Sequence, residues 1–406
     1  MAASIELPGN SETIHLQQQV ARLQALLEAS RQVHSTIHEE EVLDRVLRIV
    51  VRELEMAGAA FPDAGMEYGD APAFSAGEAA EGELGLRNAC LRFPLEDREG
   101  RRMVELLVAP PEDRELTLYE ADFIEGLALQ AAVALENARN HKRNLEFARV
   151  QQDLDAARNI QRSLLPQKLP DIPGYSLAFR SATCYEVGGD YLDIVAQPDG
   201  SLLIAVADVA GKGLASAIWS TSFRSAFRAM AASGMPLAEL ATRVGQHHWT
   251  EGEEARRRYV TAIFVRLHPE VGEIEVVNAG HNPGFLVWFE PDGFSSASAE
   301  LKSRLFEASG TPLGLLPGMT YTSERCPFPP GARLLFYTDG LTESFQGDEE
   351  FGPERLLAQF SKCPPHKADA ILDALWAAVE DFSKGTPQGD DMTALALSRA
   401  SQETVA

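Results

Sequence analysis

DYLDIVAQPDGSLLIAVAD, residues 190–208, carries an aspartate at each end and the turn sequence Pro198-Asp199-Gly200 in its middle. Apolar runs on either side of such a turn read as a β-hairpin. If Gln197 pairs with Ser201, one register follows and Asp190 lies opposite Asp208. A two-residue Asp-Gly loop slips that register by only one position. Directly opposed residues on antiparallel strands have Cβ atoms roughly 4.5 to 5.5 Å apart, and like charges so placed are destabilising unless something positive sits between them. A divalent cation is the natural guest. Alternate residues of a strand share a face, so Asp190, Leu192 and Ile194 line up with Leu202, Ile204, Val206 and Asp208, while Asp193 projects to the other side.

Outward from the hairpin the chain is β-rich from Tyr175 on. Apolar strand-like runs fall at 201–209, 259–267, 273–277, 285–289, 333–337 and 392–397, with helical stretches at 214–232, 236–245, 353–360 and 367–383. Strands in runs with inserted helices imply a layered α+β domain. Two more acidic positions sit at predicted strand ends: Asp339 after LLFYT, and Asp390-Asp391 before MTALAL. A strand terminus fixes the backbone yet leaves the side chain open to solvent. Carboxylates without accompanying His or Cys suit hard cations such as magnesium or manganese, which prefer oxygen ligands.

The N-terminal part has a different texture. Leu16, Val20, Leu23 and Leu27 alternate at spacings of four and three, a short heptad seam. It suits either a parallel dimer or packing on its own domain. A second predicted helix carries Val42, Leu43, Val46, Leu47, Val50 and Leu54 on one face. A Gly- and Pro-punctuated stretch follows at 57–81, then strand-like runs at 83–93 and 101–109. Thr117 and Glu120 form a capping box for a long Ala/Leu helix through Asn140, which continues over 141–165 until Pro166 and Pro170 stop it. Along the continuation, Phe147, Val150, Leu154, Ala157, Ile160 and Leu164 step by three, four, three, three and four. The skipped step breaks the heptad and changes local winding. It marks a switch point, or a helix passing from partner contact to domain packing.

At 406 residues the chain has room for two or three domains. Its net charge of -24, from 36 basic and 60 acidic residues, argues against a nucleic-acid or anionic-membrane partner, since both require a basic face. No apolar run approaches the roughly 20 residues of a membrane span and no signal segment is evident, so a cytoplasmic protein is expected. Cys90, Cys184, Cys326 and Cys363 lack C-x-x-C spacing and read as buried or incidental thiols.

Two resemblances sharpen this reading. FPLEDREGRRMVELLVAP (93–110) and LTLYEADFIEGLALQAAVALENAR (116–139), in their helix, sheet and exit-helix setting, resemble a GAF sensory domain over about residues 35 to 140, with a middle shorter than usual. No His/Cys cluster marks a haem or bilin site there. AARNIQRSLLP, EVGGDYLDI, VADVAGKGLASA, NAGHNP, GTPLGL, LLFYTDGLTES and GDDMTALAL occur in this order between residues 155 and 398. They resemble the SpoIIE/RsbU-type metal-dependent phosphatases, the bacterial branch of the type 2C serine/threonine protein phosphatases.

That second resemblance implies a two-layer β-sandwich flanked by helices, preceded by the GAF-like α/β domain and coiled-coil helices. The implied organisation is an N-terminal helix (1–34), the GAF-like domain (35–140), a linker helix (141–165), the phosphatase domain (166–398) and a tail (399–406). It also implies a centre of two divalent cations, Mn2+ or Mg2+. Asp208 bridges both, the Val209 carbonyl and Asp190 complete one site, and Asp339 with Asp390 hold the other. Asp390 is preferred to Asp391 because the second position is Asn in many relatives. The chemistry implied is hydrolysis of phosphoserine or phosphothreonine without a covalent enzyme intermediate. The implied substrate is an anti-sigma-factor antagonist or similar small phosphoprotein, and a homodimer is expected. Two departures stand out: Tyr191-Leu192 replaces the usual aromatic pair, and Lys212 stands where relatives often have His. Lys212 either approaches the phosphate or sits exposed, and His281 is either structural or the proton donor. The rival readings are a phosphatase-fold scaffold without catalysis in a partner-switching pathway, and a diguanylate cyclase suggested by Gly188-Gly189-Asp190-Tyr191. The cyclase reading leaves Asp339 and Asp390 unexplained.

Overall fold

The computed structural model describes residues 10–64, 66–69, 91–111, 115–291, 299–363 and 367–401. The chain divides into two compact units, Met1–Gln151 and Gln152–Ala406.

In the first unit, α1 (Asn10–His34) and α2 (Glu39–Glu53) precede the strands β1 (Gly58–Phe61), β2 (Met66–Gly69), β3 (Leu91–Glu96) and β4 (Arg102–Ala109), and α3 (Leu118–Leu164) follows. The strands form an antiparallel sheet in the order β2-β1-β4-β3. The predicted face of α2 is buried, from Val42 to Leu54, in a core shared with Leu95, Leu106, Ile124 and Leu135. The expected capping box is present: the Thr117 backbone N–H donates to Glu120 Oε2 at 2.8 Å, and the Glu120 N–H donates back to Thr117 Oγ1 at 3.3 Å. The helix that it opens runs unbroken to Leu164, two residues before Pro166.

One expectation needs correction here. The strand predicted at 83–93 occurs as Leu91–Glu96, because the chain stays extended through Pro94 to pair with β4; residues 83–90 lie outside the described residues. The Gly- and Pro-punctuated stretch at 57–81 contains β1 and β2 in its described part, and Ala59 and Ala60 are buried between neighbours although Gly and Ala carry little strand propensity. Helix α1 uses two faces. Ala29 and Val33 join the core, whereas Leu16, Val20, Leu23 and Leu27 remain more than half exposed.

The second unit is a sandwich of two five-stranded antiparallel sheets. One sheet contains β6 (Tyr191–Ala196), β7 (Leu202–Val209), β8 (Val260–His268), β9 (Glu273–Ala279) and β12 (Glu324–Pro327), in the order β12-β9-β8-β7-β6. The other contains β5 (Tyr175–Ala182), β10 (Gly284–Pro291), β11 (Ala299–Phe306), β13 (Arg333–Tyr337) and β16 (Met392–Arg399), in the order β11-β10-β13-β16-β5. A two-stranded ribbon, β14 (Phe345–Gln346) and β15 (Glu349–Glu350), lies apart. Helices α4 (Leu214–Ala231) and α5 (Leu237–Thr250), followed by the short α6 (Glu253–Arg257), cover the first sheet. Helices α7 (Gly352–Lys362) and α8 (Ala368–Phe382) cover the second.

Side-chain parity explains the layers. Leu192, Ile194, Leu202, Ile204 and Val206 pack between the sheets against Leu334, Phe336, Leu395 and Leu397. Tyr191, Leu203, Ala205, Ala207 and Val209 face α4 and α5. Among the described residues no helix is long and apolar enough to cross a membrane. Cys184, Cys326 and Cys363 are free thiols, and Cys90 lies outside the described residues.

Candidate metal centre

The β6–β7 hairpin has the expected register. Tyr191 pairs with Ala207 and Ala196 with Leu202, while the Gln197 N–H donates to the Ser201 carbonyl at 2.9 Å. The three-residue loop closes by a Gly200 N–H to Gln197 carbonyl bond at 3.1 Å and then needs a left-handed residue, which Gly200 supplies at φ 81°. Asp190 therefore stands one step before β6, in line with Asp208 near the end of β7. Asp193 is fully buried on the opposite face, where Arg228 of α4 donates to both its oxygens at 2.6 and 2.8 Å and the Tyr191 hydroxyl adds another bond.

The second sheet brings its own carboxylates to the same end of the sandwich. Asp339 opens a 3-10 turn directly after β13, and Asp390 and Asp391 directly precede β16, its antiparallel neighbour. Thr338 ties the two sheets together. Its buried hydroxyl donates to Asp190 Oδ2 at 2.8 Å and accepts the Thr393 N–H at 2.9 Å. Asp391 is a second tie, for its oxygens accept the N–H groups of Cys184 and Gly189 at 2.9 and 2.8 Å.

Mutual repulsion is visible in the titration of these groups. Burial, and then the Asp208 charge, hold Asp190 well above the usual carboxylate range. Burial, followed by Asp339 and Asp390, pushes Asp208 up to about 7. Burial, followed by Glu343 and Asp390, pushes Asp339 up to about 6. Asp190, Asp208, Asp339 and Asp390 are thus electrostatic neighbours drawn from four places in the chain. Among the described residues no three acidic, imidazole or thiol groups close on a single point. The Lys212 ammonium lies 2.7 Å from Asp390 Oδ2 and 2.6 Å from the Gly389 carbonyl.

The donor set fits hard divalent cations. It is all oxygen, crowded with negative charge, and buried enough that the charge is costly without a partner. Gly189 adds a geometric sign. A Cβ there would lie 2.8 Å from the Val209 carbonyl oxygen and 3.2 Å from Asp208 Oδ1, so only glycine lets this loop close over those two atoms. Asp190, Asp208, Asp339, Asp390 and the Val209 carbonyl are the groups that would hold the ions.

His281 is buried. Its ring shares a 2.8 Å hydrogen bond with Thr261 Oγ1, its backbone N–H donates to Asn278 Oδ1 at 2.8 Å, and burial lowers its pKa to about 4, which favours the neutral imidazole.

Sequence reasoning missed the supporting residues. Thr338 and Asp391 each sit beside a singled-out aspartate, and that adjacency was the available signal. Gln161, inside AARNIQRSLLP, was quoted without a role. Its side-chain amide donates to the Gly188 carbonyl at 2.7 Å and accepts the Gly188 N–H at 3.1 Å, while Arg158 donates to the Glu186 carbonyl at 2.7 Å.

Residues 198–400 match the family described as Stage II sporulation protein E (SpoIIE). The chain belongs to the SpoIIE family. Protein IcfG of Synechocystis sp. is 26% identical over 273 residues, which span 61% of this chain and 41% of that protein. Phosphoserine phosphatase RsbP of Bacillus subtilis is 25% identical over 193 residues, spanning 47% of this chain and 45% of that one. The matched parts thus make up less than half of either SpoIIE-family relative. Among solved structures, the SiaA PP2C domain of Pseudomonas aeruginosa superposes with a TM-score of 0.52 at 20% identity, covering 62% of this chain and 97% of that domain. This likeness gives the second unit the PP2C fold.

Proposed function

We propose that this SpoIIE-family chain is a metal-dependent serine/threonine protein phosphatase acting on phosphoserine or phosphothreonine of a small signalling protein, of the anti-sigma-factor-antagonist kind. The observation that carries the reading is that Asp190, Asp208, Asp339 and Asp390 sit at strand ends of the two sheets, with Thr338, next to Asp339, bonded across to Asp190. The name of the relative RsbP, a phosphoserine phosphatase, supports the substrate class. Asp190, Asp208, Asp339, Asp390 and the Val209 carbonyl would hold two manganese or magnesium ions, which when bound would supply water activation and charge neutralisation at the phosphoryl group. The chain's own residues set the frame. Thr338 fixes the Asp190 carboxylate, Asp391 pins the loop at Gly189, and Gly189 lets that loop approach the Val209 carbonyl. Lys212, half-exposed beside Asp390, is placed to exchange that carboxylate for a phosphoryl oxygen.

The first unit serves in this reading as a GAF-like sensory and dimerisation domain of a cytoplasmic protein, its signal carried along α3. The four-stranded antiparallel sheet between helices and the bare apolar seam of α1 support that assignment.

The test is hydrolysis of a phosphoserine protein and of an aryl phosphate by the full chain with manganese, with chelator, and with Asp208→Asn. Turnover should require the metal and fall at least about a hundredfold in the variant. Absence of turnover on both substrates with manganese present would leave a phosphatase-fold scaffold.

A further inference from the structure

Helix α4 changes character along its length. Over its later turns the inward face is aromatic and aliphatic, with Phe223, Phe227 and Ala231 packed on the first sheet. Over its first two turns the inward face includes Ser216 and Ser220, whereas Leu214 and Ile218 are each at least half exposed to solvent. The outward row continues with the exposed Thr221 and Ser225, so it is apolar only at the N-terminal end.

That end of the helix lies against the candidate centre. A Cβ on Gly189 would stand 3.3 Å from the Ser216 Cβ and 3.2 Å from Asp208 Oδ1, and the Ser220 hydroxyl donates to the Asp190 carbonyl at 3.5 Å. Lys212, two residues before Leu214, bonds to Asp390 and to the Gly389 carbonyl. Tyr185, also at least half exposed, follows Cys184, whose N–H donates to Asp391 Oδ1 at 2.9 Å. Lys212 and three large side chains with apolar bodies thus adjoin the loops that carry the carboxylates.

A single exposed leucine needs no explanation. Leu214 and Ile218 are one helical turn apart and form one patch, and a β-branched residue such as isoleucine adds little to an exposed helix by itself. Their place beside the centre supplies the reason. A phosphoserine side chain is short, so the substrate backbone must come down to the mouth before its phosphoryl group can meet the carboxylate cluster. Charge complementarity fixes that end, since the phosphoryl group is anionic and Lys212 is the cation beside Asp390. The residues flanking the phosphorylated one are then laid along the rim. Leu214 and Ile218 span about 6 Å of it, the reach of roughly two extended residues.

We propose that Leu214 and Ile218 receive an apolar side chain of the phosphoprotein substrate, a few residues from the phosphorylated one, and so determine which phosphoproteins are dephosphorylated. The inference rests on the phosphatase reading. The contact is apolar, so its selectivity persists as salt rises, unlike that of a charged flank.

The experiment uses the full chain with manganese and a set of phosphoserine peptides that differ only by leucine, glutamine or glutamate at each flanking position. An aryl phosphate, which has no flanking residues, is the control. At one or more positions kcat/KM for the leucine peptide should exceed that for the glutamine peptide about tenfold, at low and at high salt alike. Leu214→Gln/Ile218→Gln should lose most of that ratio and still hydrolyse the aryl phosphate, and Ile218→Leu should keep the ratio. Should the double variant lose aryl phosphate turnover, Ile218→Gln alone is judged by the same ratio. No preference for leucine at any position, or a preference that survives in the glutamine variants, overturns the inference. A missing preference, together with a mass in light scattering that falls in the double variant, would assign the patch to a second copy of the chain instead. If the aryl phosphate is not hydrolysed by the unaltered chain, the phosphatase reading is what fails. Fluorescence anisotropy of the same labelled peptides in chelator then decides the patch. Tighter binding of leucine peptides that is lost in the glutamine variants upholds it, and equal binding sinks it.

Discussion

At the scale of single residues, the buried carboxylates make the second unit sensitive to pH in a direction opposite to the common one. Asp208 and Asp339 titrate near 7 and near 6, above the ordinary carboxylate value of 3.8. A raised folded-state pKa means that the folded chain binds more protons than the unfolded one. The associated stability is therefore complete below the unfolded value and is lost as pH rises through the folded value. The metal-free chain should lose thermal stability between about pH 4 and about pH 7, and Asp208→Asn should flatten that slope. Manganese should reverse the loss, with a stabilisation that grows over the same window because cations compete with protons for the carboxylates. Calorimetry in chelator and in manganese would check both; a melting temperature that rises steadily to pH 7 in chelator would contradict the argument. Asp193 obeys a different rule. It accepts two bonds from Arg228 while fully buried, so Asp193→Ala should cost about 2 to 3 kcal/mol in denaturant unfolding with no change in metal requirement. Its place on the opposite face was legible in strand parity alone, since a strand with a period of two cannot present residues 190 and 193 on one face.

At the scale of elements, the last turns of α3 hold the loop that delivers Asp190. Gln161 engages both the N–H and the carbonyl of Gly188, two residues before that aspartate. Gln161→Ala should raise the manganese concentration needed for half-maximal turnover about tenfold, as loss of groups that orient metal ligands commonly does, with little change in melting temperature. An unchanged manganese dependence would show that Gly188 is placed by Asp391 and Arg158 alone. The same elements show where sequence reading works. The hairpin, the runs at 259–267 and 333–337, and all four long helices of this unit were legible because apolar periodicity is strong where both faces are covered. The strands β5, β11 and β12 were not singled out, and each is an edge strand. An edge faces water, and charged residues such as those of AELKSRLF interrupt the apolar run, as natural edges require. The acidic strand ends were legible because Asp339 and Asp390 adjoin the interior strands β13 and β16. The ties made by Thr338 and Asp391 were not, since they join positions far apart in the chain.

At the scale of the whole molecule, the helices retain apolar surface that neither unit uses. In α1, Leu16, Val20, Leu23 and Leu27 are each more than half exposed, and in α3 the same holds for Phe147, Val150 and Ile160. Exposed leucines spaced as a heptad seam are costly in a monomer and are buried at once by a second copy in parallel register. The expected outcome is a mass twice that of the 44.2 kDa chain in light scattering at micromolar concentration, falling toward the monomer when Leu16, Leu23 and Leu27 are replaced by glutamine. α3 is one helix from Leu118 to Leu164 and its end holds the Asp190 loop, so we propose that a change in how helices associate would reach the candidate centre along it. Removal of residues 1–140 should then alter turnover of a phosphoprotein substrate while leaving manganese a requirement. Equal turnover by the truncated and full chains would cut that link, and a monomeric full chain would remove its physical basis.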